Sequence, residues 1–398
     1  MDLDFERRRR NIPVMSATTG LIVFVLNTWY FILPLYLHQQ GATPGQISLS
    51  YALIALAAAL PQFYGGVLAD IYGRRLLIAL PTFVAGCGYV LMLTGHAWQL
   101  IVGMFVMVNL ASAFQGPSFT ALISESVPPR SRGRAFAAFQ FASGIASIAG
   151  PIIGGLLLPI FHVQGLIAFT AGGYLISATM RITLLRETKS ALRPPPFRIQ
   201  QAMRGPLGRL VVVSTCFMLA ISLTFNGPFL SLLAGSPGGF NLKPQVVDVL
   251  FGVGPLFGVA LSFVAARAID RLGSRVVLVV GTFMHIVLLI LWSMLHMIVL
   301  VFALFALSYA FYQAANIAFG SLRAEVAAAF AAGPALGVVG LISGVGASLG
   351  PILGGVLSGR FGLVAPVDLA LVFALIAALV AQKLPSHPQV SGHDAVVT

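Results

Sequence analysis

The side chains in this sequence that could do chemistry are charged groups at two short turns. Both turns follow a long apolar run and have an Asp, a Gly and an Arg at the same offsets: Asp70, Gly73 and Arg75 in the first, and Asp270, Gly273 and Arg275 in the second. The Gly permits a tight turn that residues with a Cβ resist. An Asp and an Arg held there can form ion pairs or contact helix ends. Their chemistry is therefore charge pairing where an apolar segment meets water.

The rest of the sequence has no combination typical of catalysis or metal binding. Cys87 and Cys216 lie inside apolar runs, where a Cys is usually a small buried hydrophobic residue. They give neither a metal-ligand spacing nor a disulfide framework. Because no nucleophile–base pair or phosphate-binding loop stands out either, we expect neither an enzyme nor a bound cofactor.

The composition indicates a membrane protein. Of the 398 residues, 58% are hydrophobic and 9% are charged, and the mean hydropathy is +0.95. A soluble domain has about 25% charged residues. The net charge of +12 does not indicate nucleic-acid binding, because the basic residues sit in short gaps between apolar runs and not on one face. Many of these runs reach the roughly 20 residues that cross a bilayer as a helix.

The apolar runs are arranged as six, a linker and six. The first six are 12–37, 46–69, 76–95, 98–123, 134–159 and 163–185, and the last six are 209–233, 245–268, 276–295, 298–321, 333–358 and 363–383. The linker is polar and rich in Pro and Arg, and its three consecutive prolines exclude a continuous helix. We therefore predict an all-α membrane protein with twelve transmembrane helices. It is divided into a six-helix bundle, a linker and a second six-helix bundle: 1–185, 186–208 and 209–398.

The distribution of Lys and Arg predicts the orientation. With the N-terminus inside, only Lys243 and Arg360 among the 23 Lys and Arg residues would lie outside. Both termini and the basic segment from Arg181 to Arg209 are then cytoplasmic, in a multi-pass protein of the cell membrane. The start of the chain, Arg7–Arg10 followed by an apolar run, resembles a signal peptide. The run is too long and lacks a cleavage site, so we expect an uncleaved first span.

A direct repeat with an offset of two hundred relates the two halves. Besides the turns, it matches Glu125 with Glu325, Gly144 with Gly344, and Gly150-Pro151-x-x-Gly154-Gly155 with Gly350-Pro351-x-x-Gly354-Gly355. Because each half has an even number of spans, the halves should be parallel, with a pseudo-two-fold axis along the membrane normal. A repeat of this kind places a cavity between the halves, near mid-membrane.

Two of these motifs resemble those of a known family. The Gly-x-x-x-Asp-x-x-Gly-Arg-Arg pattern at 66–75 resembles the signature loop of the major facilitator superfamily. The Gly-x5-Gly-Pro-x2-Gly-Gly pattern at 144–155 resembles the antiporter motif of the drug–proton exchangers in that superfamily. The resemblance implies alternating access, in which the halves rock about a central cavity. The sequence departs from those exchangers in the fourth span, where 103–110 contains no Arg, and this weakens the transfer of their proton-coupling mechanism.

The charged turns are predicted to act as a conformational latch at the inner ends of the spans. The latch residues are Gly66, Asp70, Gly73, Arg74, Arg75, Glu125, Asp270, Gly273, Arg275 and Glu325. The resemblance implies that Asp70 faces the partly positive N-terminal end of the eleventh helix and so holds the outward-open state. The alternative is that Asp70, Arg74 and Glu125 only anchor loops at the lipid headgroups. Because Ser274 replaces the first Arg, the second copy should latch less strongly.

The glycine motifs predict two pliable seams, one where the fifth span meets the eighth and one where the eleventh meets the second. The seam residues are Gly144, Gly150, Pro151, Gly154, Gly155, Gly344, Gly350, Pro351, Gly354 and Gly355. Small residues let helices approach closely, and Gly-Pro loosens the local backbone hydrogen bonding. The alternative is ordinary small-residue packing.

Uncharged polar and aromatic side chains are expected to line the cavity, since the predicted spans place no charged residue clearly within their middle part. The candidates for substrate binding are Asn27, Tyr30, Asn109, Gln115, Gln140, Asn226, Tyr309, Tyr312, Gln313 and Asn316. The last four share one helix face because their spacing is three and four. Such a lining suits neutral or lipophilic molecules, and aromatic faces can hold a cation. The alternative is that these groups only hydrogen-bond between helices.

Three residues are candidates for proton coupling. Asp248 and Asp368 lie near the outer ends of the eighth and twelfth spans, and His285 lies within the ninth. The alternatives are that the two carboxylates are solvated at helix starts and that His285 is a packed, neutral side chain.

These patterns favour a secondary transporter that exports small lipophilic or drug-like molecules by proton antiport. One alternative is a facilitator or proton symporter for the uptake of a small neutral solute, and another is a non-transporting sensor or scaffold. The expected partners are a small-molecule substrate, protons and the lipid bilayer, with no nucleic acid, and the chain is expected to be a monomer.

Overall fold

The computed structural model describes residues 8–61, 68–69, 71–128, 131–188, 205–295, 297–328 and 332–384. Within these ranges all regular secondary structure is helical. A lipid environment dictates this result, because every backbone N–H and C=O group must be paired inside the chain, and a helix pairs them within one segment.

The helices of the described residues are, in chain order, α1 (Asn11–Asn27), α2 (Leu33–Gln39), α3 (Pro44–Ala59), α4 (Arg74–Met92), α5 (Trp98–Ala113), α6 (Gln115–Glu125), α7 (Arg132–Leu184), α8 (Pro206–Ser222), α9 (Phe229–Gly235), α10 (Pro244–Leu272), α11 (Ser274–Met294), α12 (Ile298–Ala328), α13 (Ala332–Phe361) and α14 (Ala365–Ala381). A short 3-10 turn, Tyr30–Ile32, connects α1 to α2.

Eight helical stretches of the described residues are long and apolar enough to cross a membrane, and α3, α8 and α14 are shorter apolar helices. One of the eight, α7, has 53 residues and is interrupted at His162, whose φ of 54° and ψ of 175° are not helical. At about 1.5 Å per residue, α7 is far longer than a bilayer of about 30 Å requires. Its two parts, 132–161 and 163–184, correspond to the fifth and sixth spans predicted at 134–159 and 163–185.

The predicted first and seventh spans are both broken. A 3-10 turn separates α1 from α2, which has Pro34 in its first turn. In the same way, α9 begins directly after Pro228. Proline is tolerated at a helix start and not in a helix interior, so it marks the beginning of each outer segment. The unbroken runs predicted at 12–37 and 209–233 are corrected accordingly, because hydropathy does not register a backbone break.

The two charged turns have the same backbone conformation. Gly73 precedes α4 with a φ of 96°, and Gly273 precedes α11 with a φ of 85°. Side chains with a Cβ rarely adopt such values, whereas glycine adopts them without a steric cost. The shared conformation explains why both turns have a glycine at this offset.

The buried apolar side chains form a shared core at one end of the molecule and separate cores at the other. The shared core lies at the end that Lys and Arg predict to be extracellular, here termed the outer end, where α2 and α9 lie. It includes Trp29 and Phe105 from the first half and Phe229, Phe251 and Trp292 from the second. At the inner end, buried clusters are confined to one half each: Met15, Ile78, Leu122 and Leu185, then Ile123, Val127 and Ala135, and in the second half a larger cluster around Phe217, Phe319 and Leu322.

Helices of the two halves contact one another through α2 and α9, through the 3-10 turn and α10, and through two longer helix pairs. The second-span helix α3 packs on α13, and the first part of α7 packs on α10. Most of the predicted linker, 186–208, lies outside the described residues, so the proposed boundaries at 185 and 209 stay predictions.

Candidate functional site

The glycines of the fifth span pack directly against the first span. A Cβ atom on Gly154 would lie 2.1 Å from the carbonyl oxygen of Thr28, and one on Gly150 would lie 2.7 Å from that of Phe24. Real Cβ atoms do not approach oxygen so closely. The helices α7 and α1 therefore touch backbone to backbone, which only a residue without a side chain allows.

The next residues of the same motif contact the second half. A Cβ on Gly155 would lie 2.5 Å from the carbonyl oxygen of Gln245, and one on Gly252 would lie 2.6 Å from the side chain of Ile152. These contacts join the fifth span to the eighth, with a glycine on each helix.

The second copy of the motif makes equivalent contacts with the seventh span. A Cβ on Gly350 would lie 1.8 Å from Oγ of Ser222, and one on Gly354 would lie 2.4 Å from the ring of Phe229. The prolines that follow Gly150 and Gly350, namely Pro151 and Pro351, are buried inside α7 and α13. The first span and the seventh span are thus held by the same two glycine positions.

The eleventh span also contacts the second span. A Cβ on Gly355 would lie 2.5 Å from Cβ of Ser48, and one on Gly344 would lie 2.8 Å from Cβ of Ala59. Gly144 differs, because nothing lies within 4 Å of a Cβ built there. The two halves therefore match at three of the glycine positions and not at the fourth. The contacts of Gly155 and Gly252, and those of Gly344 and Gly355, form two glycine seams between the halves.

The first charged turn is capped by a carboxylate that the sequence analysis did not select. Glu187 accepts hydrogen bonds from the backbone N–H groups of Arg74 at 2.8 Å and Arg75 at 3.2 Å. These N–H groups begin α4 and would otherwise have no helical acceptor. The guanidinium of Arg75 donates to the carbonyl oxygen of Ile182. No spacing in the sequence relates Glu187 to the turn, so only the fold identifies it.

An ion pair extends this cluster to the fourth span. Arg74 lies 3.6 Å from Glu125, and the hydroxyl of Thr188 donates to Glu125 at 2.7 Å. Nearby, the side chain of Asn11 donates to Ser126 at 2.9 Å and accepts from the backbone N–H of Arg186 at 2.8 Å. The inner ends of spans one, three, four and six are thereby connected. Gly66 and Asp70, two further residues of the predicted latch, lie outside the described residues.

The second charged turn is held by hydroxyl groups. Ser274 donates to Glu325, and Ser321 donates to the same carboxylate at 2.8 Å. Arg275 is half-buried and Asp270 is exposed. A serine therefore occupies the place where the first half has the guanidinium of Arg74, and it binds the equivalent glutamate.

Arg181 corrects one expectation of the sequence analysis, which placed it among the cytoplasmic charges. Its side chain is 1% exposed. The guanidinium donates to neutral oxygens at 2.6–3.2 Å, which belong to Thr18, Thr19, Thr82 and Gln115. It also lies 5.2 Å from the ring centre of Phe119. Three helical spans supply these partners, and the geometry of five fixed N–H donors matches them. The fourth span, which has no Arg, receives a guanidinium from the sixth.

The polar residues of the tenth span lie beside an aromatic cluster. The ring of Tyr309 lies against Gly254 and Gly258 of α10, and its centre lies 4.9 Å from that of Phe225. Tyr312 contacts Phe225 as well, with ring centres 5.1 Å apart. The next two predicted residues, Gln313 and Asn316, are half-buried and exposed, respectively. This helix face therefore runs from half-buried aromatic side chains to a polar, accessible one.

The other residues predicted to bind substrate lie in several environments. Tyr30 is half-buried and its ring stacks on Phe105. Asn109 donates to the carbonyl oxygen of Phe105 in its own helix at 2.8 Å. Asn27 lies against Gly150, Gln115 binds Arg181, and Gln140 and Asn226 are exposed.

The three candidates for proton coupling differ sharply. His285 is fully buried, with Nδ1 2.8 Å from Oγ of Ser308 and Nε2 3.3 Å from Oγ1 of Thr224. Asp368 is exposed in the first turn of α14. Asp248 is fully buried, and among the described residues neither of its carboxylate oxygens has a hydrogen-bond partner. In this conformation Asp248 is therefore not a solvated helix-start residue, contrary to the alternative considered in the sequence analysis.

The glycine contacts predict opposite effects of one substitution at two positions. Gly154→Ala should destabilise the protein by about 1–3 kcal/mol, because the new Cβ overlaps the backbone of Thr28. Gly144→Ala should be neutral or stabilising by up to about 1 kcal/mol, because the space is open and alanine favours a helix. Thermal unfolding of both variants in detergent measures the difference. Equal shifts of both variants would contradict the packing described here.

The hydrogen bonds of Arg181 predict that Arg181→Lys is not conservative. A single ammonium group cannot reach all four acceptors, so we expect a loss of about 1–3 kcal/mol in stability. Arg360→Lys, at an exposed position, serves as the control and should change the unfolding temperature little. An unchanged unfolding temperature for Arg181→Lys would show that the network does not stabilise the fold.

Comparison with known proteins agrees with this architecture. The solved structure of the human organic anion transporter MFSD10 (TETRAN) superposes with a TM-score of 0.70 at 15% identity, covering 94% of this chain and 99% of that one. A bacterial homologue of the human lysosomal transporter Spinster, inward-facing and occupied, superposes with a TM-score of 0.73 at 15% identity, covering 94% and 96%. At this level of identity the likeness concerns the fold alone.

Sequence comparison identifies relatives and the family. The quinolone resistance protein NorA of Staphylococcus aureus is 22% identical over 250 residues, which are 62% of this chain and 62% of NorA. The multidrug resistance efflux pump PmrA of Streptococcus pneumoniae is 24% identical over 277 residues, which are 65% of this chain and 67% of PmrA. The family model described as Major Facilitator Superfamily matches residues 15–237 and 211–394. The chain therefore belongs to the major facilitator superfamily.

Proposed function

We propose that this transporter exports small lipophilic or drug-like molecules by alternating access. In this proposal twelve transmembrane helices form two six-helix bundles, and both termini are cytoplasmic. The observation that supports it most directly is the distribution of the buried cores. The halves share one core at the outer end and have separate clusters at the inner end, as expected of a transporter that is closed to the outside.

The contacts between the halves are of a kind that permits rocking. At the outer end, Ser231 donates to the carbonyl oxygen of Phe31 at 2.6 Å, and the rings of Phe31 and Phe251 stack with centres 4.6 Å apart. The glycine seams add close backbone packing without interlocking side chains. Apolar and glycine contacts of this type can separate or slide at a lower cost than an ion-pair network would require.

The inner end of the first half differs from these contacts, because charged groups connect its spans to one another. Within the first half, Glu187, Arg74 and Glu125 fasten the inner ends of several spans to one another. We propose that this cluster keeps the first bundle rigid and presents Asp70 to the second bundle when the inner end closes. The latch assignment then accounts for the repetition of the turn in both halves.

The chemistry of the interior supports a neutral, lipophilic or weakly cationic substrate. The rings of Phe225, Tyr309 and Tyr312 offer aromatic faces, which bind apolar groups and cations. The guanidinium of Arg181 donates its hydrogen bonds to neutral oxygens of the protein. Resemblance to NorA and PmrA, which are named for quinolone resistance and multidrug efflux, supports export as the direction.

Transport in proteoliposomes tests the proposal. With an imposed pH gradient, a fluoroquinolone and a lipophilic dye should accumulate on the acidic side. For exchange against one proton, a gradient of one pH unit supports at most about a tenfold accumulation, since a tenfold ratio corresponds to about 1.4 kcal/mol. Counterflow that ignores the gradient would exclude antiport and favour the alternative, a facilitator. Movement of the probe together with protons would favour a symporter.

The latch predicts different effects of one substitution in the two halves. Asp70→Asn should slow transport strongly with normal expression, because the charge that pairs with the opposite bundle is lost. Asp270→Asn, its repeat equivalent, should slow transport less, because Ser274 and Ser321 hold the second turn. Initial rates at equal protein amounts measure both variants. Unimpaired transport by Asp70→Asn would remove the latch assignment.

A further inference from the structure

The carboxyl group of Asp248 is buried in the described part of the molecule without a hydrogen-bond partner. Both carboxylate oxygens of Asp248 lack a hydrogen-bond partner, and the residue has no exposed surface. Two other buried ionisable side chains, His285 and Arg181, are satisfied by surrounding hydroxyl and amide groups. An ionised carboxylate in such a place loses its hydration without compensation, so the neutral, protonated form is strongly preferred there.

The position of Asp248 on α10 places it at the contact between the halves. Residues three and four positions apart lie on one helix face, so Asp248 shares a face with Phe251 and Gly252. Phe251 stacks on Phe31, and Gly252 lies against Ile152. Phe31 and Ile152 both belong to the first half, which means that the carboxyl group lies where the outer ends of the halves meet.

Among the residues that the structure describes, no charged group at the outer end compensates Asp248. The titratable side chains on its own helix and on the elements packed against it at this end are Lys243 just before α10, Tyr30 in the 3-10 turn, His162 in α7, His285 in α11, and Tyr309 and Tyr312 in α12; α9 contributes none. The charged residues of α7, α11 and α12 lie towards the inner end: Arg132, Arg134, Arg181, Arg275, Arg323 and Glu325. Lys243 is exposed.

We propose that Asp248 is an external proton-binding site that must be occupied before the outer end can close. This inference rests on the alternating access proposed above. It assigns to Asp248 the regulation of one of the two ends that open and close, the outer end. A proton from the external water binds the carboxylate and gives the neutral carboxyl group, which is then enclosed by Phe31, Phe251 and their neighbours. When the outer end opens, water reaches the group and the proton returns to the same side.

This site differs from a coupling site in one respect. A coupling proton must enter on one side and leave on the other, whereas Asp248 is enclosed by the outer contact while that end is closed. Its protonation therefore sets the population of the closed outer end and does not enter the transport stoichiometry. The sign follows from linkage: the state that binds fewer protons, the outward-open state, gains population as the pH rises.

Distance measurements on the full chain test the proposal without a transport assay. With Cys87 and Cys216 replaced by alanine, spin labels at Gln39→Cys and Gly238→Cys report the separation of the outer ends. Both positions are exposed, and a Cβ on Gly238 meets only the far end of Leu363 at 3.9 Å. In lipid nanodiscs between pH 5 and pH 9, the ratio of long to short distances should rise by up to about tenfold per pH unit through the titration of a single group.

Two variants identify the group responsible. Asp248→Asn and Asp248→Leu cannot ionise, so each should keep the short distance over the whole pH range; the second serves if the first does not fold. Asp368→Asn removes an exposed carboxylate from the same end and should keep the pH response of the parent protein. A parent protein without a pH response, or an Asp248→Asn variant with the parent's response, would overturn the proposal. Failure of the export assay with an intact pH response would overturn the proposed function alone.

Discussion

Close approach of helix backbones at glycine is the constraint on which this structure depends. Gly154 and Gly354 bring the fifth and eleventh spans onto the broken first and seventh spans, at places where a Cβ would overlap backbone or ring atoms. Gly155, Gly252 and Gly355 then bring the two halves together. In a bilayer, apolar side chains gain little by leaving lipid for one another, so packing at short distance supplies much of the association. Glycine is the residue that makes that distance attainable.

The two halves satisfy this shared geometry with different chemistry. The first half uses charge: Glu187 caps α4, Arg74 pairs with Glu125, and Arg181 binds four neutral oxygens in its interior. The second half uses hydroxyl groups at the equivalent turn and around His285. Guanidinium and carboxylate groups make stronger, more directional hydrogen bonds than neutral pairs do. The first bundle is thus the more firmly cross-linked of the two at its inner end.

Sequence reasoning identified the features that occur in both halves and missed those that occur only once. The offset of two hundred predicted that Gly150 and Gly350, or Gly155 and Gly355, have equivalent positions, because a repeated local pattern implies a repeated local packing. It also predicted equivalence for Gly144 and Gly344, where the structure differs. The roles of Glu187 and Arg181 were not predicted, because their partners are distant in the chain. Hydropathy assigns a charged residue to the membrane or to water only from the residues next to it in the sequence. A long side chain near a helix end can fold into the bundle as easily as towards water.

Asp248 illustrates why burial cannot be deduced from depth along a span. It is the fifth residue of α10, a position where a carboxylate commonly faces water and interacts favourably with the helix dipole. Its neighbours on the same helix face, Phe251 and Gly252, contact Phe31 and Ile152 of the other half, and in the proposed mechanism these contacts exist only while the outer end is closed. In a protein that alternates between two closures, the environment of an interface residue is a property of the state and not of the sequence. A carboxyl group at such a place responds to the conformation, and by reciprocity the conformation responds to its proton.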